Sequence, residues 1–291
     1  MTADVDDPVA IRATGLAKTF GDHVAVAGLD LTVANGELFS LLGPNGAGKT
    51  TTIKMLCCLL RPSSGMASIL GHDVEHEPLA VKQVIGVSPQ ETAVAPNLNA
   101  WENLGLMAGL HGIDKQRTRQ RSEELLEVTG LANRATDKAK QYSGGMQRRL
   151  SIAMALVSDP KVVFLDEPTI GLDPQARRGM WEYIAGLKGN TTIVLTTHYL
   201  EEADALADRI AVVDDGALVA LGTPADLKQG ISGTPVMVVE APNVTDEALA
   251  ALRRVYPTAR AVPDGVEIEA DDVSVYDIGD CLRPFGVEIR S

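Results

Sequence analysis

The sequence predicts an α/β core built on a largely parallel sheet, followed by a small α+β appendix. Three observations carry this prediction. The apolar stretch Glu37-Leu38-Phe39-Ser40-Leu41-Leu42 reads as a compact strand that runs into a Gly-rich loop, Gly43 to Thr50, and then into a helical stretch from Thr51 to Leu60, which ends near Arg61-Pro62. Two further apolar runs, Val162 to Leu165 and Thr192 to Thr196, flank a helical segment from Pro174 to Leu187. Apolar strands alternating with helices are the mark of a parallel sheet covered on its faces. The texture then changes at Gly230-Ile231-Ser232-Gly233-Thr234-Pro235. Beyond it, Val236 to Glu240 reads as a strand, Asp246 to Tyr256 as a helix, and Val266 to Ala270 and Val287 to Ile289 as further strands.

The other elements follow in chain order. Ile11 to Val33 reads as two short strands around a turn at Gly21-Asp22, and Ile69 to Gly71 and Ile85 to Val87 as short strands. From Trp101 to Thr129 the pattern is helical, with charged faces such as Arg117 to Glu127. No internal repeat or low-complexity tract is found.

Length and composition bound the possibilities. A chain of 291 residues, 45% hydrophobic and 22% charged, suits one large and one small globular domain. A net charge of −13 argues against a nucleic-acid surface, which needs a basic face. Cys57, Cys58 and Cys281 have no metal-ligand spacing and read as small core residues in a reducing compartment. The acidic stretch from Met1 to Arg12 does not read as a secretory signal, and no segment approaches the roughly 20 apolar residues that span a bilayer. Work at a membrane is therefore expected to pass through a partner.

Chemistry concentrates in three places. The loop Gly43-Pro44-Asn45-Gly46-Ala47-Gly48-Lys49-Thr50 matches G-x-x-x-x-G-K-[ST] in the strand-loop-helix context that this pattern requires. Its glycines let backbone N–H groups curl around phosphate oxygens, Lys49 reaches the β- and γ-phosphates, and Thr50 presents a hydroxyl to Mg²⁺. Thr51 follows at the helix start, whose positive end favours the same anion. The second place is the end of the strand Val162 to Leu165, where Asp166 is set to hold Mg²⁺ directly or through water and Glu167 to polarise an attacking water. The third is Tyr142-Ser143-Gly144-Gly145-Met146-Gln147, which opens a helix from Arg148 to Leu156. Taken alone it fits a second anion site or an ordinary serine N-cap equally well.

With these motifs in place, residues 9–230 resemble the ATP-binding subunit of ABC transporters. Gly43 to Thr50 corresponds to the Walker A loop, Val162 to Asp166 with Glu167 to Walker B, and Ser143-Gly144-Gly145 to the signature. Gly171-Leu172-Asp173-Pro174 corresponds to the D-loop, Gln90 to the Q-loop glutamine, and His198 after Thr196-Thr197 to the switch histidine. The resemblance implies a P-loop ATPase domain of the ABC type over residues 1–232. Its sheet is mixed, a helical subdomain covers approximately 92–158, and the small α+β domain 233–291 follows. It also implies ATP and Mg²⁺ as cofactors, with Thr50, Gln90 and Asp166 toward the metal. Two chains would close head to tail, with Ser143 and Gly145 touching the γ-phosphate on the partner's Walker A loop and Asp173 at the seam. Phe20 would stack on adenine, Gln90 would report nucleotide state, and His198, Lys49 and Glu167 would carry the hydrolysis. The stretch from Gln90 to Leu110, with Trp101-Glu102-Asn103-Leu104, would meet an integral membrane permease, leaving the chain cytoplasmic and peripheral on the inner membrane face.

Two positions depart from the common pattern, with Tyr142 where leucine is usual and Met146 where glutamine is usual. Met146-Gln147-Arg148-Arg149 and Thr197 to Asp204 are similar to exporter-type subunits related to daunorubicin-resistance ATPases, which implies export. A soluble ABC-type ATPase acting on ribosomes or DNA would carry tandem domains or a coiled-coil insertion. This chain has one motif set, no heptad run and an acidic balance. A non-hydrolysing nucleotide sensor would have no need of Glu167. The run Glu201 to Asp208 reads as a solvated helix face, and Met146, Met154 and Met180 as packing residues.

Overall fold

A computed structural model of the chain describes residues 9–230, 236–241, 244–262, 265–270 and 274–287. They form two compact units, Met1–Lys228 and Gln229–Ser291. The first unit begins with a hairpin of β1 (Val9–Phe20) and β2 (His23–Ala34), then β3 (Leu38–Leu42) and α1 (Lys49–Leu56). β4 (Ser64–Ile69), β5 (His72–Asp73), α2 (Pro78–Val84) and β6 (Ile85–Ser88) follow, then the helices α3 (Ala100–Leu110), α4 (Lys115–Val128) and α5 (Gly144–Leu156). The core resumes with β7 (Val162–Asp166), α6 (Pro174–Gly186), β8 (Thr192–Thr197) and α7 (Leu200–Leu206). It ends with β9 (Arg209–Asp214), β10 (Ala217–Gly222) and α8 (Pro224–Gly230).

The central sheet has the order β10-β9-β3-β8-β7-β6, parallel throughout except for the antiparallel edge strand β10. β3, β7 and β8 are buried along nearly their whole length, as apolar strands covered on both faces must be. Register aligns Leu42 with Thr197 and Asp166 with Thr196, so the carboxyl ends of these three strands open on one edge. That edge is where open α/β sheets bind ligands. A second, antiparallel sheet has the order β2-β1-β4-β5. Its inward residues Ile11, Leu16, Leu29, Leu31 and Val33 share a core with Phe39, Leu41, Ile53 and Phe164. Each fully buried side chain of this size contributes about 1.5–3 kcal/mol.

Several elements differ from the sequence reading: the strand expected over Ile69 to Gly71 is β4, which ends at Ile69 where Leu70 turns at φ +50°, and β5, α2, β9, β10 and α8 were not anticipated. β1 and β2 are 12 residues each, not short, because they pair with each other from Val9 opposite Ala34 to Phe20 opposite His23. The helical stretch after Trp101 is two helices, broken where Gly112 takes φ +70° and Asp114 caps α4 by accepting from the N–H groups of Gln116 and Arg117. α1 stops at Leu56, short of Leu60, and Cys58 then turns the chain at φ +56°.

The second unit contains β11 (Val236–Glu240), α9 (Asp246–Val255), β12 (Arg260–Val262), β13 (Gly265–Glu269) and α10 (Val275–Leu282). Its antiparallel sheet has the order β11-β13-β12, and Val239, Leu249, Leu252, Val266, Ile268, Ile278 and Leu282 form a core of its own. β12 and α10 were not anticipated from the sequence. Of the strand expected over Val287 to Ile289, Val287 is a buried residue outside any strand. Positions 288–289, like the expected break at 231–235, lie outside the described residues.

Candidate active site

The loop after β3 wraps the amino end of α1 as a cradle that only small residues fit. Gly48 sits at φ +93°, and a Cβ there would run into the carbonyl of Ala25; a Cβ on Gly43 would meet the carbonyl of Val213. Lys49 is 6% exposed and donates from Nζ to the Gly43 carbonyl at 2.6 Å and the Pro44 carbonyl at 3.0 Å. A buried ammonium held by loop carbonyls, with backbone N–H groups and a helix start around it, is a site prepared for phosphate oxygens.

β7 delivers the two carboxylates. Asp166 Oδ1 accepts from Thr50 Oγ1 at 3.1 Å and from Thr196 Oγ1 on β8. Glu167 turns out of the strand at φ +52°, a left-handed conformation uncommon for a residue with a side chain. Thr196 pins this turn, accepting from the Glu167 N–H with its carbonyl at 3.2 Å and its hydroxyl at 3.0 Å. The Glu167 carboxylate is then shared, with Oε2 against His198 Nδ1 at 2.8 Å and Oε1 at 3.5 Å from Lys49 Nζ. One cavity of about 480 Å³ collects Phe20, Pro44 to Thr51, Gln90 and Glu167, and His23 and Ala25 complete its wall. Phe20 is 49% exposed at its mouth, with the Lys18 ammonium 5.2 Å from the ring centroid.

Three expected contact residues lie elsewhere. Ser143, Gly145 and Asp173 are not among the cavity residues; Gly43, Asp166 and His198 do not line the cavity either, but they bond to Lys49, Thr50 and Glu167, which do. Ser143 caps α5, accepting from the Met146 N–H at 3.3 Å, and Asp173 caps α6, accepting from the Ala176 N–H at 2.9 Å. Ser143 and Asp173 are exposed. Tyr142 buries its ring in the core and donates its hydroxyl to the Arg134 carbonyl at 2.8 Å, which accounts for an aromatic where leucine is usual.

The structure adds residues that the sequence reading left out. Arg148 on α5 is 3% exposed and donates to the carbonyls of Asp166, Pro168, Pro89 and Gln90. It thereby clamps the segment around both carboxylates to the segment carrying Gln90. Burial pulls its guanidinium below the usual arginine range, and the neighbouring Asp166, Glu167 and Glu202 oppose that shift. The sequence marked it only as one of two adjacent arginines. Thr196 and Glu202 were also missed, and Glu202 corrects an expectation. It is fully buried, with Ala203 and Leu206, on the inner face of a run read as solvated.

The Thr50 hydroxyl, the Asp166 carboxylate and the Gln90 side chain supply hard oxygen donors that suit Mg²⁺, which takes one or two carboxylates and otherwise phosphate and water. Among the described residues no group of three or more His, Cys, Asp or Glu forms a closed metal site.

A lysine-bearing phosphate loop with two carboxylates and a histidine converging on it defines a P-loop nucleotide hydrolase. Comparison narrows the class. Residues 26–170 match the family described as ABC transporter. The chain is 48% identical over 231 residues to a daunorubicin resistance ATP-binding protein of Streptomyces coeruleorubidus, covering 79% of this chain and 73% of that protein. It is 38% identical to a linearmycin resistance ATP-binding protein of Bacillus subtilis, covering 84% and 78% of the two chains. A dimeric ATP-binding cassette in a post-hydrolysis state with ADP and Pi superposes with a TM-score of 0.69 at 27% identity, covering 74% of this chain and 98% of that one. The chain therefore belongs to the ATP-binding subunits of ABC transporters, and its activity is ATP hydrolysis.

Proposed function

We propose that this subunit powers export through a separate membrane permease, and that its ATP site is completed only when two copies close on each other. The observation that carries the reading is the split of the site. The cavity holds the phosphate loop, Gln90 and Glu167, while Ser143 and Gly145 sit apart from it at the start of α5. Within the site, Lys49 and the loop N–H groups bind the phosphates, and Phe20 stacks on adenine. Glu167 accepts a proton from the attacking water, and His198 orients Glu167. Thr50 and Asp166, with Gln90 beside them, would hold Mg²⁺, which would supply charge neutralisation to the triphosphate. A second copy brings its Ser143 hydroxyl and the N-terminus of its α5 to the γ-phosphate, so hydrolysis weakens the join between the chains.

No helix among the described residues is long and apolar enough to cross a membrane. The permease therefore has to dock on a surface. Of the expected Trp101 to Leu104 contact, Asn103 and Leu104 are fully buried, and Asn103 holds the backbone of Ala95 and Asn99. Leu79, Lys82, Met107, Leu110 and His111 line a groove of about 860 Å³, with Leu79 77% and Leu110 74% exposed. This groove is the docking surface we assign to the permease. Export rests on the resistance names of the relatives. In its native host the chain should sediment with the cell membrane. Leu79→Asp with Leu110→Asp should release it while the isolated chain keeps its ATPase rate. A parent chain found wholly in the soluble fraction contradicts the reading.

A further inference from the structure

Glu202 is a carboxyl that the hydrolytic scheme does not use, and its setting is unusual. It lies in the first turn of α7 and has no exposed surface. Oε1 accepts from the Thr169 hydroxyl at 2.8 Å and from Trp181 Nε1 on α6 at 3.1 Å. The Thr197 hydroxyl on β8 lies close enough to favour the charged form, yet Oε2 has no hydrogen-bond partner of proper geometry. Burial drives the carboxyl upward from its usual range, and the Glu167 charge pushes the same way against the three hydrogen-bond donors. Arg148 is the nearby cation, and its donors are committed to backbone carbonyls. No ion pair to Glu202 is present among the described residues. A lone carboxylate in such a place would carry a large desolvation cost.

The position matters because of what the carboxyl joins. Thr169 is two residues beyond Glu167, within a turn where the Ile170 N–H donates to the Glu167 carbonyl and the Leu172 N–H to the Thr169 carbonyl. α7 starts two residues beyond His198. The distance between Glu167 and His198 is thus set from both sides of Glu202. We infer that Glu202 is a positioning residue for hydrolysis, a buried hydrogen-bond acceptor that straps the segment following Glu167 to the helix following His198. It touches neither nucleotide nor water; it holds the base against its histidine and fixes the loop that leads to Asp173.

The inference rests on Glu167 acting as the base, and the experiment separates the two. Steady-state ATPase kinetics and ATP binding are measured for Glu202→Ala, Glu202→Gln, Thr169→Val and the pair Thr169→Val with Glu202→Ala. Glu202→Ala and Thr169→Val should each lower kcat by about 10- to 100-fold, the scale of a misplaced catalytic group, with KM for ATP within about twofold of the parent. Glu202→Gln keeps an acceptor oxygen for Thr169 and Trp181 on a side chain of the same shape and should hold kcat within about twofold of the parent. The double variant should be no slower than the slower single one, because both break the same strap. Thr169→Val keeps the side-chain volume and carries the test if Glu202→Ala does not fold. Parent-like kcat in Thr169→Val and in a folded Glu202→Ala overturns the inference. So does a Gln variant as slow as the Ala variant, or losses that multiply in the double variant. Turnover retained by Glu167→Gln would instead overturn the assignment of the base.

Discussion

Replacing Glu167 with glutamine is expected to slow ATP turnover by about 10²- to 10⁴-fold, the range over which a positioned general base acts. The amide keeps the size of the side chain and the contact to His198 Nδ1, which is 2.8 Å from Oε2. It loses the ability to take a proton from water. It also loses the negative charge 3.5 Å from Lys49 Nζ, so the ammonium is freed for phosphate oxygens and ATP should stay bound at least as well. Phosphate release and bound nucleotide, measured on the same sample, check both halves. Hydrolysis at the parent rate would show that another group activates the water.

Lys49→Ala should weaken ATP binding by about 10- to 150-fold, the equivalent of losing a charged hydrogen bond of about 1.5–3 kcal/mol. Lys49 is buried, and its hydrogen-bond partners, the Gly43 and Pro44 carbonyls, belong to the same loop, with Glu167 Oε1 3.5 Å away. Its ammonium is therefore already desolvated and aimed into the cradle, and phosphate meets a cation that needs little reorganisation. Alanine also leaves those carbonyls without their donor, so the loop loses shape as well as charge. Titration with a fluorescent ATP analogue measures the change, and unaltered affinity contradicts the role of the loop.

What the sequence made legible was whatever is written locally. A strand, a glycine loop and a helix are contiguous, so the placement of Lys49 at the start of α1 could be read from one stretch of chain. Asp166-Glu167 at the end of an apolar run was readable for the same reason. Contacts between distant segments were not. Arg148 reaches Asp166 and Gln90 across 18 and 58 residues, and Thr196 reaches Asp166 across 30, with no pattern in the sequence to announce either. Glu202 did leave a signal. It shares a helix face with Ala203 and with Leu206, four residues on, but the surrounding acidic residues hid the periodicity. In the second unit, β12 has three residues and α10 eight, too short for periodicity to stand out.

Ser143 and Asp173 show why a motif and a cap are hard to separate. Both side chains satisfy helix N–H groups in the single chain, so capping alone accounts for their residue types. What distinguishes a phosphate contact is the partner, which in the proposed assembly is a second copy of this chain. Sedimentation velocity of Glu167→Gln, with and without Mg²⁺-ATP, tests it most directly. The prediction is a species of one 30.8 kDa chain without nucleotide and of twice that mass with it. Adding Ser143→Asp, which caps α5 as well as serine but sets a negative charge toward the partner's phosphate, should return the protein to single chains with ATP still bound. ATP-loaded Glu167→Gln that stays at the mass of one chain, or a dimer indifferent to Ser143→Asp, would contradict the shared site.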